Sequence, residues 1–144
     1  MGNLIDQNPN MRAITSVVGG PSPIKPGTFV NFDGAAFMPA SDMSKKLFVL
    51  GANDFAGQDA ETETAVGASA IGYVVGPNDL MSVRISAGTY AYGDQLTMGT
   101  AGTLKKAASG DHVVAFYEDA DGVAAAGDRK NISIATYAAA VTGP

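Results

Sequence analysis

Residues Ile85 to Ala107 read ISAGTYAYGDQLTMGTAGTLKKA. Three short runs stand in this stretch: Tyr90–Tyr92, Gln95–Met98 and Thr103–Lys106. Gly88, the pair Gly93-Asp94 and the segment from Gly99 to Gly102 separate them. Glycine tolerates a positive φ and aspartate bonds to nearby backbone, so a Gly-Asp pair marks a turn. The pattern predicts a meander of short strands joined by tight turns. It contains no catalytic constellation.

The same grammar extends in both directions. Upstream, Ile71–Val75 and Leu80–Ile85 read as strands around the turn Gly76-Pro77-Asn78-Asp79. Alternation along the second would put Leu80, Ser82 and Arg84 on one face and Met81, Val83 and Ile85 on the other. Leu47–Leu50 (LFVL) is a compact apolar run and the strongest candidate for a buried strand. Thr28–Phe32 and Ala35–Met38 flank Asp33-Gly34 as a hairpin, and Ala13–Val18 is a β-branched run. Pro21, Pro23 and Pro26 cannot donate to a ladder, so residues 19–27 form an extended connection. Downstream, a turn at Ser109-Gly110-Asp111 precedes His112–Tyr117, and Glu118–Asp128 is expected as a loop. Asn131–Tyr137 is expected as the last strand.

About ten short strands with glycine turns predict an all-β fold, a small barrel or sandwich. Residues 1–12 read as an extended N-terminal arm, 13–138 as one β domain and 139–144 as a tail. Residues 51–68 are small, polar and acidic, with no Lys or Arg between Lys46 and Arg84. They are expected as a solvated surface loop. Ile24–Phe29 and Ile85–Tyr90 share the pattern Ile-x-x-Gly-Thr-aromatic, which predicts the same entry turn before two strands.

The 144 residues are enough for one domain with its own core. There is no cysteine, hence no disulfide and no thiolate metal site. Fourteen acidic against nine basic residues give a net charge of −5, which argues against nucleic acid as the main partner. No run is long enough to span a bilayer as a helix, and no membrane partner is expected.

Little in the chain points to chemistry. His112, the one histidine, heads a strand and reads as a strand-end or interface residue, not a catalytic base. Glu118-Asp119-Ala120-Asp121-Gly122 has some of a calcium loop's oxygens, but Val123 and three alanines follow where further ligands would be needed. A solvated turn is the expectation, with no metal, no cofactor and no enzymatic activity. The basic groups Lys45-Lys46, Lys105-Lys106 and Arg129-Lys130 each border a strand. They read as edge protection or, more sharply, as contacts to an acidic surface.

The order of pieces from Gly72 to Ile134 resembles the capsid decoration, or head cement, proteins of tailed bacteriophages. The carriers are Gly93-Asp94-Gln95-Leu96, then Gly102-Thr103-Leu104-Lys105-Lys106-Ala107, then Val114-Ala115-Phe116-Tyr117-Glu118-Asp119. The resemblance covers a little under half of the chain. It implies a virion protein on the outer capsid surface, assembled in the host bacterial cytoplasm. Its implied partner is the major capsid protein, whose neighbouring subunits it clamps without covalent bonds. A homotrimer on a three-fold axis is expected first and a dimer second. Multivalent docking would turn modest contacts into tight binding. The expected capsid contacts are Leu4, Ile5, Pro9, Met11 and Arg12 in the arm, with Pro21, Pro23 and Pro26. The alternative is a tail or fibre module that recognises a host glycan through Tyr90, Tyr92 and Tyr137.

Overall fold

A computed structural model describes residues 12–41, 46–52 and 59–140, the last five by backbone alone. The chain is all-β, as its turns and alternation require. The strands are β1 (Ala13–Val18), β2 (Phe29–Phe32), β3 (Ala36–Pro39), β4 (Leu47–Gly51), β5 (Ser69–Val74), β6 (Leu80–Arg84) and β7 (Gly88–Tyr90). They continue with β8 (Gln95–Met98), β9 (Leu104–Lys106), β10 (His112–Tyr117), β11 (Gly122–Ala124) and β12 (Arg129–Ala140). β12 therefore runs two residues past 138. β11 falls inside the stretch expected as loop, where it forms a ribbon with β7.

The first five strands close into a barrel in the order β1-β3-β2-β4-β5. All its pairings are antiparallel except β1 with β3, a parallel contact of Val17 with Ala36 and Val18 with Phe37. The second half forms a five-stranded sheet, β6-β12-β10-β8-β9. Its two ends nearly meet. Ile85 bridges Leu104, and Ser86 N–H donates to Leu104 O at 2.7 Å. The free edges that such sheets must manage are thus largely consumed by closure.

Leu47–Leu50 is buried throughout because β4 is a wall between two interiors. Phe48 and Leu50 point into the barrel with Val18, Ile24, Val30, Phe37 and Ala70. Leu47 and Val49 point the other way, with Phe29, into the core of the second sheet beside Met81, Val83, Leu96 and Ile132. A strand buried on both faces loses its polar alternation, which is why this one reads as a continuous apolar run. Space inside the barrel is tight. A Cβ on Gly72 would lie 2.6 Å from the Phe37 ring, so that glycine makes room for the phenylalanine.

The second sheet repeats one turn. Gly76–Asp79, Ala91–Asp94, Ala108–Asp111 and Ala125–Asp128 each place Gly or Asn third, at positive φ. In each, the Asp N–H returns to the first carbonyl at 3.0–3.2 Å. In each, too, Asp Oδ2 accepts the first residue's N–H at 2.8 Å. These turns lead directly into β6, β8, β10 and β12, four neighbours in the sheet. The sequence motif A-x-G-D accordingly occurs three times, with its aspartates seventeen residues apart. The pattern Ile-x-x-Gly-Thr-aromatic does not mark a common turn, by contrast. Gly27 has φ 90° in a tight turn, whereas Gly88 has no positive φ and starts β7.

Candidate functional site

β6 carries the residue that joins the two halves. Alternation predicts Arg84 on the face shared with Leu80, opposite the face that packs on the barrel: Leu80 is exposed, but Ser82 and Arg84 are buried, with the connections at Pro26-Gly27 and Ala60-Glu61 against them. Arg84 spends its donors on three loops. Nε donates to Pro26 O at 2.8 Å, in the β1–β2 connection. One terminal nitrogen donates to Gly127 O at 3.1 Å and to Glu61 Oε1 at 3.0 Å. The other donates to Ala60 O. A planar fork with fixed donors suits this use, in which one side chain holds carbonyls of three separate loops.

Glu61 then bridges outward, its Oε2 lying 3.6 Å from Arg129 Nε. The hydrogen bond from Arg84 holds the Glu61 carboxyl below its ordinary value, and the charges of Arg84, Arg129 and Lys25 act in the same direction. Burial pushes the Arg129 guanidinium down, with Arg84 repelling it and Glu61 opposing the shift. Within the stretch expected as a solvated acidic loop, Asp59, Glu61, Thr62 and Glu63 are exposed, but Ala60 and Thr64 are buried and Thr64 pairs with Ile24 in a bridge. The loop is drawn in by the cation that ends its own basic-free window, Arg84. Residues 53–58 lie outside the described residues.

Around this ion network opens a groove of about 750 Å³ between the barrel and the second sheet. Pro21, Pro23 and Pro39 are part of its lining, and Lys25, Arg84, Arg129 and Lys130 supply its positive charge. Arg129 is therefore not an edge residue: it starts β12, which has β6 and β10 as neighbours. The reading of Lys105-Lys106 as edge residues agrees with the fold, since β9 ends the sheet. Lys106 also pairs with Asp94 at 3.1 Å.

The expected contact residues divide. Pro21 and Pro23 are exposed on the groove, whereas Pro26 is buried and offers its carbonyl to Arg84. Arg12 is exposed, with its carbonyl accepting Val74 N–H at 2.9 Å. Leu4, Ile5, Pro9 and Met11 lie outside the described residues. His112 is exposed at the head of β10. The carboxylates of the calcium-like stretch serve the backbone: Asp119 accepts from Ala120 and Asn131, and Asp121 from Tyr92. Of the tyrosines considered for glycan contact, Tyr90 is buried with its hydroxyl on Ser86 O. Tyr92 is 67% exposed and donates to Glu118 at 2.7 Å. The Tyr137 side chain lies outside the described residues.

No protein-family model matches this chain, and no curated protein matches it in sequence. Among solved structures, the fold is similar to the N base of the head fiber protein gp8.5 of bacteriophage phi29. The TM-score is 0.58 at 14% identity, covering 90% of this chain and 98% of that one. At that identity the likeness is one of fold.

Proposed function

We propose that this chain is a structural protein of a phage virion, one that decorates the outside of an icosahedral head and holds neighbouring major capsid subunits together. The observation that carries this reading is the shared fold with a head fiber base over nearly the full length of both chains. The order of strand and turn motifs that resembles head cement proteins agrees with it. A body closed on itself, with two interiors sharing one wall, suits a part whose work is to stay rigid while its outer segments bind.

In this reading residues 1–12, Arg12 among them, and the exposed prolines Pro21 and Pro23 form the capsid contact. The protein docks as a trimer on a local three-fold axis, or failing that as a dimer, so that each copy's modest contacts multiply. The test is co-sedimentation with capsids of its own phage lacking the protein. The full chain should pellet with them, and the variant lacking residues 1–12 should fold but stay in the supernatant. Equal pelleting of both would remove the arm from the contact; failure of the full chain to pellet would remove the function. Light scattering of the free protein gives the oligomeric state.

A further inference from the structure

We propose that the groove between the barrel and the second sheet is a docking site for an extended acidic segment of a partner protein. The chain is acidic overall, yet Lys25, Arg84, Arg129 and Lys130, four of its nine cations, line this one groove. Two carboxylates share it. Asp128 spends one oxygen on its own turn, and Glu61 divides its two oxygens between Arg84 and Arg129. The groove is thus a positive recess in a negative molecule, so a partner's carboxylates gain attraction here and meet repulsion over most of the remaining surface.

Glu61 shows what these cations accept. Its side chain is 61% exposed while Arg84 beneath it is only 4% exposed, so the carboxylate reaches inward from the rim to a preformed guanidinium. Neither Lys25, whose charge acts on Glu61 from beyond ion-pair contact, nor Lys130 makes an ion pair among the described residues, which leaves both amines for further carboxylates. The lining prolines suit an extended chain. Pro21, Pro23 and Pro39 give fixed, apolar contact and no N–H donors, so the charged side chains supply the selectivity. Nucleic acid fits less well, because a polyphosphate needs a long basic track and would meet the molecule's net negative charge beyond the groove.

The test uses the whole protein and a hexaglutamate peptide, followed by NMR shift changes and calorimetry at low salt. Binding should perturb Lys25, Glu61 and Lys130 and weaken as salt rises. The double variant Lys25→Glu/Lys130→Glu, both at the rim, should lower affinity at least about tenfold, as removing two charge contacts implies. Glu61→Gln should raise it, and Lys105→Glu on β9 should leave it unchanged. No binding, an equal loss with Lys105→Glu, or tighter binding of a thymidine hexanucleotide would overturn the proposal. The two readings share Pro21 and Pro23, but capsid binding is not among the readouts here, so failure of the peptide to bind overturns the groove proposal alone.

Discussion

Glycines in this chain divide into those that only turn the backbone and those that also admit a neighbour. Gly93 has φ 89° with nothing within 4 Å of a would-be Cβ, whereas Gly102 has φ 78° and its Cβ would lie 2.1 Å from Phe29 O. Gly102 N–H also donates to Ala40 O at 2.7 Å, tying the second half to the barrel. Gly93→Ala should cost about 1 kcal/mol, the penalty for a left-handed L-residue. Gly102→Ala should cost at least about 3 kcal/mol, since backbone must move as well. Chemical denaturation of the pair checks the ratio. Ser82 presents the opposite case: its hydroxyl is buried and has no hydrogen-bond partner among the described residues. Ser82→Ala should therefore leave stability unchanged or raise it by up to about 1 kcal/mol. The sequence shows Gly102 as one more turn residue. Its second role depends on a carbonyl more than seventy residues upstream, which no local pattern reveals.

At the scale of elements, the four Asp-closed turns give a graded expectation. Replacing Asp111 by Ala removes one exposed hydrogen bond to Ala108 N–H and should cost about 1 kcal/mol. Asp94→Ala also loses the ion pair with Lys106, and should cost slightly more. Thermal melting of each variant tests the order. Most strands were legible from β-branched runs and glycine turns, and LFVL announced its burial directly. β11 was not, because Gly122-Val123-Ala124 has neither length nor alternation and Val123 is 79% exposed. Its pairing with β7 defines it, and that pairing is a tertiary fact. The loop at residues 59–64 reads as solvated and most of it is exposed; that Ala60 and Thr64 are buried depends on Arg84 and Ile24, distant partners that no local pattern reveals.

For the molecule as a whole, Arg84 and the shared wall predict one cooperative unit. Arg84→Leu should leave three loop carbonyls without their donor and cost about 3 kcal/mol, while calorimetry should still show a single transition. Acid should act through this network and through two carboxylates outside it. The Glu61 carboxyl lies below its ordinary 4.5, chiefly through the Arg84 hydrogen bond. Asp94 lies below its ordinary 3.8, chiefly through Ala91 N–H. Glu118 is lowered by hydrogen bonds from Ser133 and Tyr92. A depressed folded value means the unfolded chain binds protons first. Stability should hold above the ordinary carboxylate range and fall as pH drops through it toward the folded values, which urea midpoints from about pH 7 to about pH 3 would show. All-β architecture was readable from sequence, but the groove was not: its charges come from segments at residues 25, 61, 84 and 129–130, which only the packing of barrel on sheet brings together.

The way β1 is laced into the barrel has a mechanical consequence. From Ala13 to Val17 it runs antiparallel to β5 through successive partners, Tyr73 to Ser69. Tension applied at Arg12 along the strand axis would strain these rungs together, as in a lap joint, instead of peeling them one by one. A tether attached there would transmit pull into the stiffest direction of the sheet.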